Sequence, residues 1–223
     1  MNAVEYADER GDVFFSGSDD SMILAYDARV TGGGGGGNGN GNGNENGSLE
    51  RTSRRCKPIG GFVGHLGGIT YLDSDGSGRW LLSQSKDQTA KLWDMRCLSS
   101  FAAVKSERTM RDVPALLFDY RWQGPPRGRG SAVVHPRDGS VVTYRGHQVL
   151  QTLIRAKFSS SRDYVYSGSA CGSVYIWDRL AGGEPVRVLE GGHDDVVRDV
   201  AWHPSEPAMV SVGFDGQVVM WDC

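Results

Sequence analysis

Short stretches in which apolar and polar residues alternate recur along the chain, and turn-forming residues separate them. Trp80 to Ser85 predict a strand that runs into a tight turn at Lys86 and Asp87, and Thr89 to Asp94 predict the returning strand. The same phase recurs near the C-terminus, where Ser211, Asp215 and Trp221 occupy the corresponding positions. Repetition of such hairpins predicts an all-β chain built from antiparallel sheets.

The dipeptide Gly-His is followed by Trp-Asp at a nearly constant distance in three places. From histidine to tryptophan the offsets are 28, 30 and 28 residues. The three pairs are Gly64-His65 with Trp93-Asp94, Gly146-His147 with Trp177-Asp178, and Gly192-His193 with Trp221-Asp222. A period of about 40–45 residues with this signature is typical of WD repeats, each of which supplies the four strands of one β-propeller blade.

A fourth, incomplete copy of the repeat begins near the N-terminus. Ser16 to Asp20 lead into the segment Ile23 to Asp27, in which Tyr26 takes the place of the tryptophan. No Gly-His dipeptide precedes this copy. The pattern therefore predicts that residues 1–31 form only the C-terminal half of a blade.

Spacing between the copies locates two insertions. Trp177 and Trp221 are 44 residues apart, whereas Tyr26 and Trp93 are 67 apart and Trp93 and Trp177 are 84 apart. The additional residues between Tyr26 and Trp93 include a Gly/Asn-rich tract, which predicts a flexible loop. We therefore divide the chain into a half blade at 1–31, the flexible insertion at 32–50, a blade with its preceding outer strand at 51–96, a partly disordered insertion at 97–139, a blade at 140–178, and a last blade without its fourth strand at 179–223.

The predicted fold is a partial WD-repeat β-propeller of about three and a half four-stranded blades. Closed rings contain more blades than this, and they leave no free sheet edge. The last predicted blade ends at its third strand, with Trp221-Asp222-Cys223. We therefore expect the chain to be the C-terminal part of a longer protein.

Composition and charge narrow the function classes. The 223 residues carry a net charge of −3 with a pI near 5.9, so we expect protein partners and no nucleic-acid partner. The chain contains no run of about 18 apolar residues and no N-terminal signal peptide, so we expect no membrane contact. The four cysteines lack zinc-site spacing and predict reduced thiols in an intracellular protein, in the nucleus, the cytoplasm or both. The glycine run lacks the features of a phosphate loop, and we expect no cofactor and no metal.

The repeated polar residues have two interpretations. Ser83, His65 and Asp87 are the residue types of a hydrolase triad, but a triad occurs once per active site and this set recurs with a tryptophan in successive blades. We favour a buried structural network in which the histidine bridges the turn carboxylate and the strand hydroxyl, and the hydroxyl meets the indole N–H. We therefore expect no catalytic residue. The predicted tetrads are His65, Ser83, Asp87 and Trp93; His147, Ser167 and Trp177, with Cys171 in place of the aspartate; and His193, Ser211, Asp215 and Trp221.

Two neighbouring blades end in the same tetrapeptide pattern, aromatic-Asp-x-Arg. These are Tyr26-Asp27-Ala28-Arg29 and Trp93-Asp94-Met95-Arg96, whereas the next repeat has its arginine one position earlier, at Arg179. An arginine two places beyond the end of the strand emerges at the rim of the propeller. Its planar guanidinium is steadied by the aspartate and offers donors to a partner.

Successive Trp-Asp-x-Arg motifs resemble those of the DCAF family, the WD-repeat substrate receptors of cullin-4 RING ubiquitin ligases. Longer stretches at 85–94, 119–123, 143–147, 152–155 and 197–204 are similar to the DCAF branch numbered eleven and its plant LEC-type homologues. This resemblance implies a non-catalytic receptor that presents target proteins for ubiquitin transfer and proteasomal degradation. It also implies that Arg29 and Arg96, oriented by Asp27 and Asp94, dock on the damaged-DNA-binding adaptor subunit of the ligase.

Two questions remain open at the level of sequence. A generic WD-repeat scaffold in signalling or RNA processing would carry the same blades with arginines that merely decorate the rim. The cluster Tyr120, Arg121 and Trp122 combines aromatic and arginine side chains, which are common in binding hot spots, and it equally fits a plug packed against the sheet.

Overall fold

A computed structural model describes residues 1–31, 56–107, 118–124 and 133–222. Within these ranges the chain forms four antiparallel sheets and one short α-helix. The predicted flexible insertion at 32–50 lies outside the described residues, as do 108–117 and 125–132 of the second predicted insertion.

The first sheet follows chain order from its inner to its outer strand. Its strands are β1 (Ala3–Tyr6), β2 (Val13–Gly17), β3 (Ile23–Thr31) and β4 (Cys56–Phe62). The prediction of a half blade at 1–31 is therefore wrong, because β1 pairs with β2 from Ala3 opposite Gly17 to Tyr6 opposite Phe14. The edge of β2 can pair with a strand whether or not a Gly-His dipeptide precedes that strand. The sequence pattern relied on Gly-His to mark the start of a blade, so it missed β1.

The second sheet receives its fourth strand after a long excursion of the chain. Its first three strands are β5 (Ile69–Ser74), β6 (Trp80–Ser85) and β7 (Ala90–Asp94). A 3-10 turn at Met95–Cys97, the two-residue strand β8 (Ser99–Ser100) and the helix α1 (Phe101–Glu107) follow. The sheet is completed by β9 (Val142–Tyr144), whereas β8 joins the first sheet as a fifth strand beside β4.

The third and fourth sheets follow without interruption. The third contains β10 (Ala156–Phe158), β11 (Tyr164–Gly168), β12 (Val174–Asp178) and β13 (Arg187–Leu189). The fourth contains β14 (Val197–Trp202), β15 (Ala208–Gly213) and β16 (Val218–Asp222). The repeats defined by Gly-His and Trp-Asp are therefore offset from the sheets, because the strand that begins each repeat is the outer strand of the preceding sheet.

Hydrophobic side chains fill the spaces between neighbouring sheets. Because side chains alternate across a strand, Leu81 of β6 packs against the first sheet while Leu82 packs against the third. Trp93 and Trp177 are almost fully buried in these two clusters, and Tyr166 and Met209 join a third cluster between the third and fourth sheets. The predicted all-β fold, a partial propeller with radially stacked blades, is confirmed.

A short part of the second predicted insertion closes the outer edge of the first sheet. Ser99 and Ser100 pair with Gly61 and Gly60 of β4, and Val104 of α1 is fully buried. The approach is so close that a Cβ atom on Gly60 would lie 2.4 Å from the Ser99 carbonyl oxygen. The residues that follow Arg96 therefore attach the second blade directly to the first.

Candidate functional site

The histidine of the second blade lies at the centre of a buried hydrogen-bond network. His65 Nδ1 is 2.9 Å from Asp87 Oδ2, and His65 Nε2 is 2.7 Å from Ser83 Oγ. Trp93 Nε1 donates to the same hydroxyl oxygen at 2.8 Å. Asp87 also accepts the backbone N–H of Leu66 at 2.8 Å, so the network ties the Gly-His loop to the turn between β6 and β7.

Charge and hydrogen bonding in this network outweigh the cost of burying a carboxylate. Burial alone raises the pKa of Asp87, but its charge interaction and hydrogen bond with His65, together with the bonds from Thr89 and Leu66, hold that pKa well below the usual range. The carboxylate therefore stays ionised and anchored inside the turn.

The last blade contains the same arrangement. His193 Nδ1 is 2.9 Å from Asp215 Oδ2, His193 Nε2 is 2.7 Å from Ser211 Oγ, and Trp221 Nε1 donates to Ser211 Oγ at 2.8 Å. The two networks therefore repeat the same connections in blades that are two positions apart in the propeller.

The third blade departs from the predicted tetrad, and the sequence-based assignment of His147 is corrected here. His147 Nε2 lies 3.1 Å from Gln84 Oε1, and Gln84 Nε2 donates to Ser167 Oγ at 3.0 Å. Trp177 Nε1 donates to the carbonyl oxygen of Arg145 at 3.0 Å instead of to Ser167. A glutamine from the second blade thus stands between the histidine and the serine of the third.

Loop length explains the displacement of His147. Leu72, the residue opposite Ser83, follows His65 by seven positions, whereas Ala156, the residue opposite Ser167, follows His147 by nine. The two additional residues lengthen the loop before the inner strand, and Cys171 supplies no carboxylate to hold the ring. The offset of 30 residues in this repeat, against 28 in the other two, was the sequence signal of the difference.

His147 consequently occupies an unusual environment for a histidine. Among the described residues its Nδ1 has no hydrogen-bond partner, and the ring packs edge-on against Trp177 with centroids 5.1 Å apart. Burial lowers the pKa of His147 to about 4, a direction that the charge of Asp87 opposes only partly. The imidazole is therefore neutral at physiological pH.

None of these networks presents an activated nucleophile among the described residues. Ser83 and Ser211 are fully buried, and each hydroxyl is engaged by both a histidine and a tryptophan. A nucleophile has to be exposed to its substrate and served by an oxyanion hole. The geometry is that of a structural network and does not support the triad interpretation.

The first Asp-x-Arg motif holds its arginine at the end of β3. Arg29 Nε donates to Asp27 Oδ1 at 3.0 Å and Arg29 Nη2 donates to Asp27 Oδ2 at 2.8 Å. The backbone N–H of Arg29 also donates to Asp27 Oδ1 at 2.8 Å. These bonds from Arg29 lower the pKa of Asp27 to about 2. Because 64% of the Arg29 side chain is exposed, the fork is rigid on one side and open to a partner on the other.

The second motif repeats this geometry where β7 passes into the 3-10 turn. Arg96 Nε donates to Asp94 Oδ1 at 2.9 Å, Arg96 Nη2 donates to Asp94 Oδ2 at 2.6 Å, and the Arg96 backbone N–H donates to Asp94 Oδ1 at 3.0 Å. The side-chain bonds from Arg96 hold the pKa of Asp94 well below its usual range. As in the first blade, about two thirds of the arginine side chain (65%) is exposed.

The third blade does not reproduce the motif. Asp178 accepts the backbone N–H groups of Leu180 and Ala181 at 2.9 and 2.8 Å, and Arg179 lies instead toward Asp75 of the second blade. The Arg179 side chain is only 23% exposed. Moving the arginine by one position therefore changes it from an exposed donor into a contact between blades.

Two charged residues beside the motifs were missed at the level of sequence. Asp12 Oδ2 lies 3.4 Å from Arg29 Nη1, and Arg79 Nε lies 3.6 Å from Asp94 Oδ2. Both are brought to their motif by the strand register, and no motif or fixed sequence offset marks them.

The predicted cluster at residues 120–122 lies in a turn on the face that carries the Gly-His loops. Tyr120 O accepts the backbone N–H of Gln151 at 2.9 Å, and Lys86 Nζ lies 4.6 Å from the centroid of the Tyr120 ring. A cavity of about 610 Å³ borders this turn and Phe214 of the last blade. Trp122 is 84% exposed, so it does not act as a plug against the sheet.

Among the described residues there is no cluster of metal-ligating side chains, and no helix there is long and apolar enough to cross a membrane. Cys56, Cys97 and Cys171 are free thiols.

Comparisons with known proteins agree with this architecture. The family model described as "WD domain, G-beta repeat" matches residues 56–94, 139–178 and 183–222. The LEC14B protein of Lithospermum erythrorhizon is 39% identical over the whole chain, and the DDB1- and CUL4-associated factor 11 homolog of Caenorhabditis elegans is 38% identical over 99% of it. The chain spans only 42% and 35% of the lengths of these two relatives.

A more distant match extends over part of the chain. Pre-mRNA-processing factor 17 of Homo sapiens is 25% identical over 71% of this chain, which spans 28% of that protein. Three matched repeats, their radially stacked sheets and the two histidine–serine–tryptophan networks lead to one conclusion: the chain belongs to the WD40-repeat family.

Proposed function

We propose that this chain is part of a non-catalytic substrate receptor of a cullin-4 RING ubiquitin ligase. In this proposal Arg29 and Arg96 dock on the DDB1 adaptor, and the protein presents targets for ubiquitin transfer and proteasomal degradation inside the cell, in the nucleus, the cytoplasm or both. The observation that carries the proposal is the matched geometry of two exposed arginines, each held in a bidentate fork by the aspartate two residues before it.

The relatives support the choice of partner. Full-chain similarity to proteins named as DDB1- and CUL4-associated factor 11 homologs indicates the kind of assembly in which such a propeller acts. Pre-oriented guanidinium groups are suited to this role because fewer conformations are lost when they bind. The forks on Asp27 and Asp94 fix Nε and one Nη of each arginine and leave the exposed side of each guanidinium for an acceptor on the adaptor.

The docking assignment is tested by replacing both arginines. The double variant Arg29→Ala with Arg96→Ala, made in the full-length protein, is expected to bind purified DDB1 at least about tenfold more weakly, since exposed arginines at interface centres are frequent hot spots. Its thermal unfolding should stay unchanged because both side chains are at the surface. Arg187→Ala, in the outer strand of the third blade, is the matched control. Wild-type affinity in the double variant would show that the assignment is wrong.

Target recognition belongs to a different face in this proposal. Tyr120, Arg121 and Trp122 lie on the face of the Gly-His loops, away from the strand ends that carry Arg29 and Arg96. Trp122→Ala should therefore retain DDB1 binding while reducing the set of proteins that co-purify with the receptor. Loss of DDB1 binding in this variant would contradict the separation of the two functions.

A scaffold in RNA processing is the second candidate function. It is favoured by the similarity to pre-mRNA-processing factor 17 over 71% of the chain. Affinity purification of the full-length protein separates the two candidates. Recovery of DDB1 and cullin-4 supports the ligase receptor, whereas recovery of splicing components without them supports the scaffold.

A further inference from the structure

The two Asp-x-Arg motifs differ in one structurally equivalent neighbour. In the first three blades the residue just before the second strand accepts a backbone hydrogen bond from the residue that follows the aspartate at or near the end of the third strand. Asp12 O accepts from Ala28 N at 2.7 Å, Arg79 O accepts from Met95 N at 2.7 Å, and Asp163 O accepts from Arg179 N at 2.8 Å. The first blade therefore has a carboxylate at this position and the second has a guanidinium.

This single difference reverses the charge around the two docking arginines. In the first motif two carboxylates, Asp12 and Asp27, surround Arg29, which leaves one net negative charge. In the second motif two guanidinium groups, Arg79 and Arg96, share the carboxylate of Asp94, which leaves one net positive charge. The count covers the described residues within ion-pair distance in each motif.

Arg79 is also held in place for binding. Its guanidinium carbon lies 4.6 Å from the centroid of the Trp80 ring, a cation–π contact, and its side chain is 49% exposed. Among the described residues, no hydrogen bond is donated by the Arg79 side chain, so its N–H donors are available to a partner. Stacking on the buried Trp80 ring and attraction to Asp94 limit the conformations that Arg79 would lose on binding.

We propose that Arg79 is a further partner-binding residue and that Arg79 and Arg96 together receive a carboxylate of the docking partner. The inference deepens the proposed function and rests on it. Two guanidinium groups on either side of a shared aspartate can offer charge-assisted hydrogen bonds to one acidic side chain. Asp12 and Asp27 make the first motif unsuitable for such a group, so Arg29 receives a neutral acceptor such as a backbone carbonyl.

The opposite charges make the docking surface dipolar. A partner turned end for end would place its carboxylate beside Asp12 and Asp27, where like charges repel. Arg79 and Asp12 therefore determine which motif meets which part of the partner, a property that two identical motifs could not provide.

Titration of purified DDB1 against the full-length protein tests the proposal. Arg79→Asp, which gives the second motif the charge pattern of the first, is expected to weaken binding at least about tenfold at low ionic strength and less at high ionic strength. Arg79→Gln removes the charge, keeps the aliphatic stem over Trp80, and is expected to weaken binding about threefold. Asp163→Arg, at the equivalent position of the blade that lacks the motif, is the matched control and should stay within about twofold of wild type.

The outcomes separate the two proposals. If the wild-type protein fails to bind DDB1, the proposed function is overturned together with the role of Arg79. If the wild-type protein binds, the Arg29→Ala with Arg96→Ala variant does not, and both Arg79 variants bind as tightly as wild type at every salt concentration, only the role of Arg79 is overturned. A gain of the same size in Asp163→Arg would also overturn it, because affinity would then follow the net surface charge wherever that charge is changed.

Discussion

The second and third blades share a Gly-His to Trp-Asp signature but use their histidines differently. His65 is enclosed within its own blade by Ser83, Asp87 and Trp93. His147 instead reaches Gln84 in the neighbouring blade and leaves Nδ1 without a partner among the described residues. The comparison shows that a dipeptide signature specifies where a loop lies, whereas loop length and the turn residue specify which hydrogen bonds form.

The two solutions stabilise different parts of the molecule. The network around His65 joins strands of one sheet, so it makes that blade rigid as a unit. Gln84 bridges His147 and Ser167, so the corresponding bonds in the third blade join two sheets. Removing single members of each network can therefore separate stability within a blade from stability between blades.

The largest effect is expected from Ser83→Ala. The substitution removes the acceptor of the Trp93 indole N–H and the partner of His65 Nε2, two buried groups whose loss of partners should together lower the free energy of unfolding by about 4 kcal/mol. Ser167→Ala is the matched variant in the third blade, where only Gln84 Nε2 loses its side-chain partner, and should cost about 1 kcal/mol. Urea denaturation of both variants checks this ranking, and equal losses would contradict the different roles of the two serines.

A pH-dependent difference of intermediate size is expected from His147. Burial lowers its pKa from 6.5 to about 4, so the unfolded chain binds a proton in this interval that the folded chain does not bind. Its contribution is complete above pH 6.5 and is lost as the pH falls toward 4, which amounts to about 3 kcal/mol at about 1.4 kcal/mol per pH unit. His147→Asn should remove this contribution from the pH profile of unfolding.

The comparison with wild type is essential because another group titrates in the same range with the opposite sign. Burial raises the pKa of Asp73 to about 6, so protonation of Asp73 favours the folded state as the pH falls. Asp73 is present in both proteins, and the difference between wild type and His147→Asn isolates the histidine. A difference that stays constant between pH 7 and pH 4 would contradict a neutral, buried His147.

The smallest effect is expected from Cys171→Asp. This change restores the turn carboxylate of the consensus but leaves the loop before β10 two residues longer than its counterparts. The new carboxylate should accept the hydrogen bonds that Ser169 and Tyr175 now share with the thiol, while His147 stays on Gln84. Unfolding free energy should change by less than about 1 kcal/mol. A gain of several kcal/mol in urea denaturation would show that the turn residue, and not the loop, displaces the histidine.

Much of the architecture follows from sequence because periodicity acts locally. Alternation in β6 and β7 and the fixed offsets from His65 and His193 are sufficient to predict the repeated hairpins and two of the hydrogen-bond networks. Strand β1 could not be predicted in this way because no Gly-His dipeptide precedes it. The bridging role of Gln84 could not be predicted either, since the glutamine contacts residues of a different blade and is 63 residues from His147.

Part of the candidate docking site could likewise be predicted from sequence, and part of it could not. Arg29 and Arg96 are marked by a tetrapeptide, and the bidentate forks are local in sequence. Asp12 and Arg79 are marked by nothing in their own segments, because they reach the motifs only through the registers of β2 with β3 and of β6 with β7. Charge relationships that depend on pairing between strands require coordinates.

The short strand β8 has a consequence for how the molecule opens. Chain leaving the Arg96 turn pairs at once with Gly60 and Gly61 of β4, and Val104 then anchors α1 against the same edge. Fraying of that turn cannot proceed far without also peeling an outer strand of the adjacent blade. We therefore expect local unfolding around Arg96 to loosen the edge of the blade that carries Arg29.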